Sequence, residues 1–127
     1  MVGSPATEDG ARLLRRAGIP VALNSDHMIG YDPDHAMNAF NPFLMLSVAV
    51  TRTTDTGHVH GAHQKLSRLD ALRTVTQWAA WLSFDEKKLG TLEPGKFADL
   101  AVLSSDYLTA PVSEIGDRKS TRLNSSH

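Results

Sequence analysis

Gly18-Ile19-Pro20-Val21-Ala22-Leu23-Asn24-Ser25-Asp26-His27 carries the strongest fold signal in the chain. Residues 19–23 are apolar without interruption, and Gly18 and Asn24 bound them. A short apolar run between breakers is the pattern of a strand buried on both faces, as in a parallel sheet covered by helices. Pro20 is tolerable near the start of such a strand. Just upstream, residues 6–17 read as a helix. Thr7 is placed to cap it and Glu8 and Asp9 complement its positive end; Ala11, Leu13, Leu14 and Ala17 are its apolar positions. Gly18 is suited to the left-handed residue that stops it. The expected class is therefore α/β. The remaining sequence does not supply enough alternating strands and helices to enclose a doubly buried strand. The chain is thus expected to be a piece of a larger sheet protein, poorly stable alone, with an unpaired edge at residues 19–23.

Composition narrows the function classes. The chain has 127 residues, 13 Lys+Arg against 14 Asp+Glu and a formal net charge of -1. Binding to nucleic acid or an anionic membrane draws on a basic surplus, which is absent here, so neither is an expected partner. With no cysteine there is no disulfide, thiolate metal site or thiol nucleophile. The longest apolar stretch, residues 43–50, falls short of the roughly 20 residues that span a bilayer. Met1-Val2-Gly3-Ser4 lacks the basic start and apolar core of a secretory signal, which predicts a soluble, cytoplasmic chain.

Downstream, Asn41 as cap and Pro42 as first residue favour a helix over residues 43–50. Residues 53–65 read as a polar loop holding His58, His60 and His63. Ser67-Arg68-Leu69-Asp70 resembles a capping box and opens a helix expected to reach about Phe84, with Leu69, Leu72, Val75, Thr76, Ala79 and Ala80 on one face. Near Gly90 the apolar pattern changes from helical to strand-like. Pro94-Gly95 suits the central pair of a type II turn joining a short strand to another over residues 97–103. Residues 117–127 are polar and aperiodic, and are expected to be a disordered tail. That peptide also resembles the translation of a short-read sequencing adaptor, which would make it non-native.

Three blocks in order carry a resemblance: residues 17–27, then Ala71-Leu72-Arg73-Thr74-Val75-Thr76 with Ala79-Ala80, then Leu89-Gly90-Thr91-Leu92-Glu93-Pro94-Gly95-Lys96-Phe97-Ala98-Asp99-Leu100-Ala101-Val102-Leu103. Together they resemble the C-terminal part of the metal-dependent amidohydrolases, most closely the amidohydrolase-3 branch with its N-acyl-amino-acid amidases. The resemblance implies that residues 1–84 are the end of a (β/α)8 barrel, with residues 19–26 as its last strand. It implies that residues 85–116 return to a small composite β-sandwich, and that residues 117–127 are the non-native tail. Asp26 would then lie at the C-terminal end of a barrel strand, where active sites of this fold sit.

The chemistry fits that placement. Water is a poor nucleophile for an amide at neutral pH. A divalent metal, zinc first among the candidates, lowers the pKa of bound water and polarises the scissile carbonyl. A carboxylate beside that water can bind the metal and shuttle the proton to the leaving nitrogen. The resemblance assigns this role to Asp26 and lets His27 line the substrate pocket. Taken alone, Asp26 reads as a turn or cap residue, and His27 as readily as a loop histidine as a pocket residue. The family's other metal ligands would lie upstream of Met1, so the chain by itself is expected to be inactive. Lys96 and Asp99 are read as structural, and Arg52 as the partner of a carboxylate. The competing reading is a small stand-alone binding or interaction module whose His58–His63 loop holds a metal.

Overall fold

The computed structural model describes residues 14–24, 42–54, 56–116 and 120–123. Residues 14–16 form a helical turn, and residues 19–24 follow it outside any helix or ladder. Helix α1 spans Pro42–Thr51, α2 Arg68–Thr74 and α3 Gln77–Leu82; strand β1 spans Leu100–Leu103 and β2 Ser120–Leu123. Two 3-10 turns, Ala62–Gln64 and Val112–Glu114, complete the described elements.

The core is small and centred on α1. Pro42 opens that helix as expected, and Phe43, Leu46 and Ala49, three residues apart, point inward. They pack with Ala71 of α2 and with Tyr107 and Ile115 from the C-terminal segment. Leu46, Ala71 and Ile115 are fully enclosed. α1 is apolar nearly all round, so its other side leaves Leu44 and Val48 partly exposed.

The long helix expected from Ser67 to Phe84 is two helices. Ser67 caps α2 as expected: its hydroxyl accepts from the Asp70 amide at 3.1 Å. The break falls at Val75-Thr76. Thr74 Oγ1 donates to the Ala71 carbonyl (2.6 Å) and Thr76 Oγ1 to the Leu72 carbonyl (2.8 Å). Hydroxyls that satisfy carbonyls of the preceding turn compete with the helical amides, and three consecutive β-branched residues weaken the helix further. α3 then ends in a Schellman arrangement, with the Asp85 amide bonded to Ala80 O and the Phe84 amide to Trp81 O. The left-handed position of this motif, normally glycine, is Phe84, with φ 61° and 91% of its surface exposed. A left-handed non-glycine residue is strained by about 1–2 kcal/mol. Phe84→Gly should therefore raise stability by about 0.5–1 kcal/mol in urea denaturation, the gain being trimmed by the freer unfolded chain.

Beyond α3 the chain folds back over it. Gly90, at φ 92°, lies so close that a Cβ there would meet Ala80 Cβ at 2.8 Å and Gln77 Cα at 3.0 Å. The Lys96 amide bonds Glu93 O at 3.2 Å and Gly95 has φ 90°, as the expected type II turn requires. The short strand expected before that turn is absent. The turn's limbs are joined by the Phe97 amide bond to Lys88 O instead, and strand geometry is confined to β1. β1 pairs antiparallel with β2, Leu100 opposite Leu123 and Leu103 opposite Ser120. Within the segment expected to be a tail, residues 120–123 are extended and paired. A ladder is made by backbone groups, and an open edge accepts an extended segment whatever its side chains.

No barrel and no parallel ladder occur among the described residues. Residues 19–24 have the sequence of a buried strand but no strand neighbour among the described residues. Ile19 remains 46% exposed, and downstream of it the Leu23 amide donates to Thr74 O at 3.3 Å. The reason is physical: extended backbone is stabilised as a strand only by adjacent strands.

Candidate active site

Asp26 and His27, the residues expected to carry the chemistry, lie outside the described residues. The framework that leads to them is described. The helical turn at 14–16 ends in a second Schellman arrangement, with Gly18 N bonded to Arg15 O at 3.0 Å and Ile19 N to Leu14 O at 2.8 Å. Gly18 takes φ 75°, the left-handed role anticipated for it. The chain then runs along α2. It is tied there upstream by Arg15, whose Nη2 lies 2.7 Å from Asp70 Oδ2, and downstream by Leu23. The sequence reading missed the Arg15–Asp70 pair. Its signal was an Arg in the predicted N-terminal helix and an acid in the first turn of another, which spacing alone cannot connect.

The histidines do not assemble. His58 and His60 are exposed, with ring centroids 6.5 Å apart and planes tilted by 53°, and His63 lies exposed in the following 3-10 turn. Among the described residues no three His, Cys, Asp or Glu side chains are grouped to hold a metal ion. The loop is organised by Arg52. At φ 59°, Arg52 follows α1; its Nε donates to His60 O (3.1 Å) and its Nη2 to Gln64 Oε1 (3.2 Å). Those acceptors are a carbonyl and an amide, where a carboxylate was anticipated. An open groove of about 510 Å³ lies between α1 and the Val112–Glu114 turn, with Leu44, Val48 and Val112 as its apolar lining and Ser47, Thr51 and Thr54 among its polar lining. Among the described residues no ionisable side chain lines it.

Lys96 is the hub of the returning loop. Its Nζ donates to Glu86 O and Thr91 Oγ1, both at 2.7 Å, and lies 3.0 Å from Glu93 Oε2. Thr91 Oγ1 also donates to Glu93 Oε2 at 2.7 Å. The Thr91 hydrogen bond first, and then Lys96, hold the Glu93 carboxyl below its ordinary 4.5. A carboxylate with a depressed pKa stabilises the fold above its unfolded pKa and loses that contribution as pH falls through the folded value. Acidification below about pH 4.5 should therefore loosen this loop, read as a lower protection factor (exchange relative to a free amide at the same pH) at the Phe97 amide, while the α2 amides keep theirs.

Over residues 6–123 the chain matches the sequence model described as the amidohydrolase family. It is a member of the amidohydrolase family. No curated protein and no solved structure matches it. The match takes in all three blocks that carry the resemblance, and it extends through β2. Amidohydrolases are hydrolases with a fold related to the TIM barrel, and they usually bind metal. A catalytic metal needs about three protein ligands. The described residues of this amidohydrolase chain do not group such a set, so they do not by themselves fit the ion. No helix among them is long and apolar enough to cross a membrane.

Proposed function

We propose that this chain is the C-terminal portion of a metal-dependent amidohydrolase that cleaves amide-type, non-peptide C–N bonds in a small molecule. The observation that carries the reading is the family match over residues 6–123, which includes the apolar segment 19–23 with Asp26 three residues beyond it. When bound, the divalent ion, zinc by preference, supplies an activated water and a polarised carbonyl. Asp26 would contribute one carboxylate to such an ion, and its carboxylate could take up the proton of the attacking water and pass it to the departing nitrogen. His27 lines the pocket. The remaining ligands come from upstream polypeptide, so residues 1–127 alone are inactive.

Sequencing the genomic DNA upstream of Met1 tests this. A contiguous reading frame that includes a strand ending in His-x-His supports the proposal; an in-frame stop codon and ribosome-binding site immediately before Met1 contradict it. The competing binding-module reading makes an opposite prediction about His58, His60 and His63. Replacing all three with Gln in the complete enzyme should leave its metal content unchanged by elemental analysis, because their exposed rings form no ligand set. Loss of the metal in that variant would favour the binding module.

A further inference from the structure

We propose that Asp70 is a positioning residue, acting through Arg15 to fix the segment 19–24 that leads to Asp26; the inference rests on the function proposed above. Asp70 lies in the first turn of α2 and is only 4% exposed. A carboxylate needed solely to favour the helix N-terminus gains nothing from burial, because desolvation disfavours its charge. Here the buried group is fully engaged. Oδ2 accepts from Ser67 Oγ at 2.7 Å and faces Arg15 Nη2 at 2.7 Å, and Oδ1 meets Arg73 Nη1 at 3.4 Å. Ser67 and Arg73 belong to the same helical neighbourhood. Arg15 does not: it stands on the turn that Gly18 ends.

The second tie gives that contact its meaning. Leu23 N reaches Thr74 O, at the far end of α2. Positions 70 and 74 are one turn apart on a helix and lie on the same side. The chain is therefore gripped before and after the run 19–22, along one face of a helix. That helix is itself anchored, since Ala71 and Thr74 are fully buried. With no neighbouring strand among the described residues, these two ties take over the alignment that a ladder would otherwise provide. Ser67 caps α2 through its own hydroxyl, so a capping role for Asp70 does not account for the approach of Arg15.

The test uses amide exchange by NMR on the 127-residue chain, with Arg15→Gln, Arg15→Lys, Asp70→Asn and the Arg15→Gln/Asp70→Asn double variant. Arg15→Gln and Asp70→Asn should each speed exchange at the Leu23 amide by about ten-fold, and the double variant by no more than either, because both remove one interaction. Arg15→Lys should restore protection. The Ala71 amide, which bonds Ser67 O within α2, should stay within about two-fold. Unchanged Leu23 exchange in Arg15→Gln would overturn the proposal, as would parallel loss at Ala71 and Leu23. Arg15→Gln carries the test even if Asp70→Asn fails to fold, because the Arg15 side chain is 46% exposed. In the complete hydrolase, Arg15→Gln should lower kcat at unchanged KM, and an unchanged kcat would refute the positioning role. Turnover in Asp26→Asn would instead refute the functional reading alone, with the exchange result still standing.

Discussion

On the function proposed above, Asp26→Asn, made in the complete hydrolase, is expected to cut kcat by about 10³-fold or more, since general acid–base catalysis alone supplies roughly 10²–10⁴ and the change would also remove the proposed charged metal ligand. Asparagine matches aspartate in size but neither carries the negative charge nor accepts the proton of the attacking water. Folding should be almost untouched, with a denaturation midpoint corresponding to a change within about 1 kcal/mol, because no packing volume changes. The split matters. A variant that loses activity and stability together has been damaged, whereas one that loses activity alone has lost a chemical group. Turnover within about ten-fold of the parent would remove Asp26 from the reaction.

The largest stability effect is expected at Gly90. Alanine there adds a Cβ 2.8 Å from Ala80 Cβ, 3.0 Å from Gln77 Cα and 3.2 Å from Thr76 O, at a backbone φ of 92°. Two of the three obstacles are backbone atoms and the third is the Cβ of a buried alanine, so none can swing aside. Overpacking of this kind costs about 1–3 kcal/mol and a left-handed alanine about 1–2 more. The sum, about 2–5 kcal/mol, is a large fraction of a domain's 5–15. Gly57→Ala is the control. Its φ of 82° brings a similar backbone strain, but nothing lies within 4 Å of the added Cβ. It should cost only about 1–2 kcal/mol in urea unfolding. Equal losses at the two sites would mean that the loop does not press on α3 as described.

Gly90 also shows which parts of the fold were legible in the sequence. Gly18, the Pro94-Gly95 pair and the Ser67 cap all took their anticipated roles, because each is a local geometric demand that one residue type meets best. The switch of pattern near Gly90 was visible too, although the close approach to Ala80 that makes glycine necessary was not. Local patterns failed where side chains competed with the helix. The face running from Leu69 to Ala80 suggested one helix, and the carbonyl bonds of Thr74 and Thr76 accompany its division. They failed again where a partner was remote in sequence. Nothing in the composition of residues 120–123 marks them as the ladder partner of β1. Nor could spacing join Arg15 to Asp70 across 55 positions.

The proposed site rests on a different kind of signal. Asp26 stood out by what precedes and follows it in order along the chain, and the family match spans those same blocks. The His58–His63 run, the more conspicuous metal motif to the eye, occupies a loop organised by Arg52, and its exposed rings belong to no ligand set among the described residues. A motif binds metal only when rigid elements aim its donors at one point.

The most direct test is made on the purified 127-residue chain itself. Incubated with zinc and a panel of N-acyl amino acids, then assayed for bound metal and released amine, it should retain less than one equivalent of metal after dialysis and release no amine above the buffer rate, because one carboxylate cannot supply the roughly three ligands a catalytic ion requires. A folded chain that keeps a full equivalent of zinc and turns over one of these amides unaided would contradict the account.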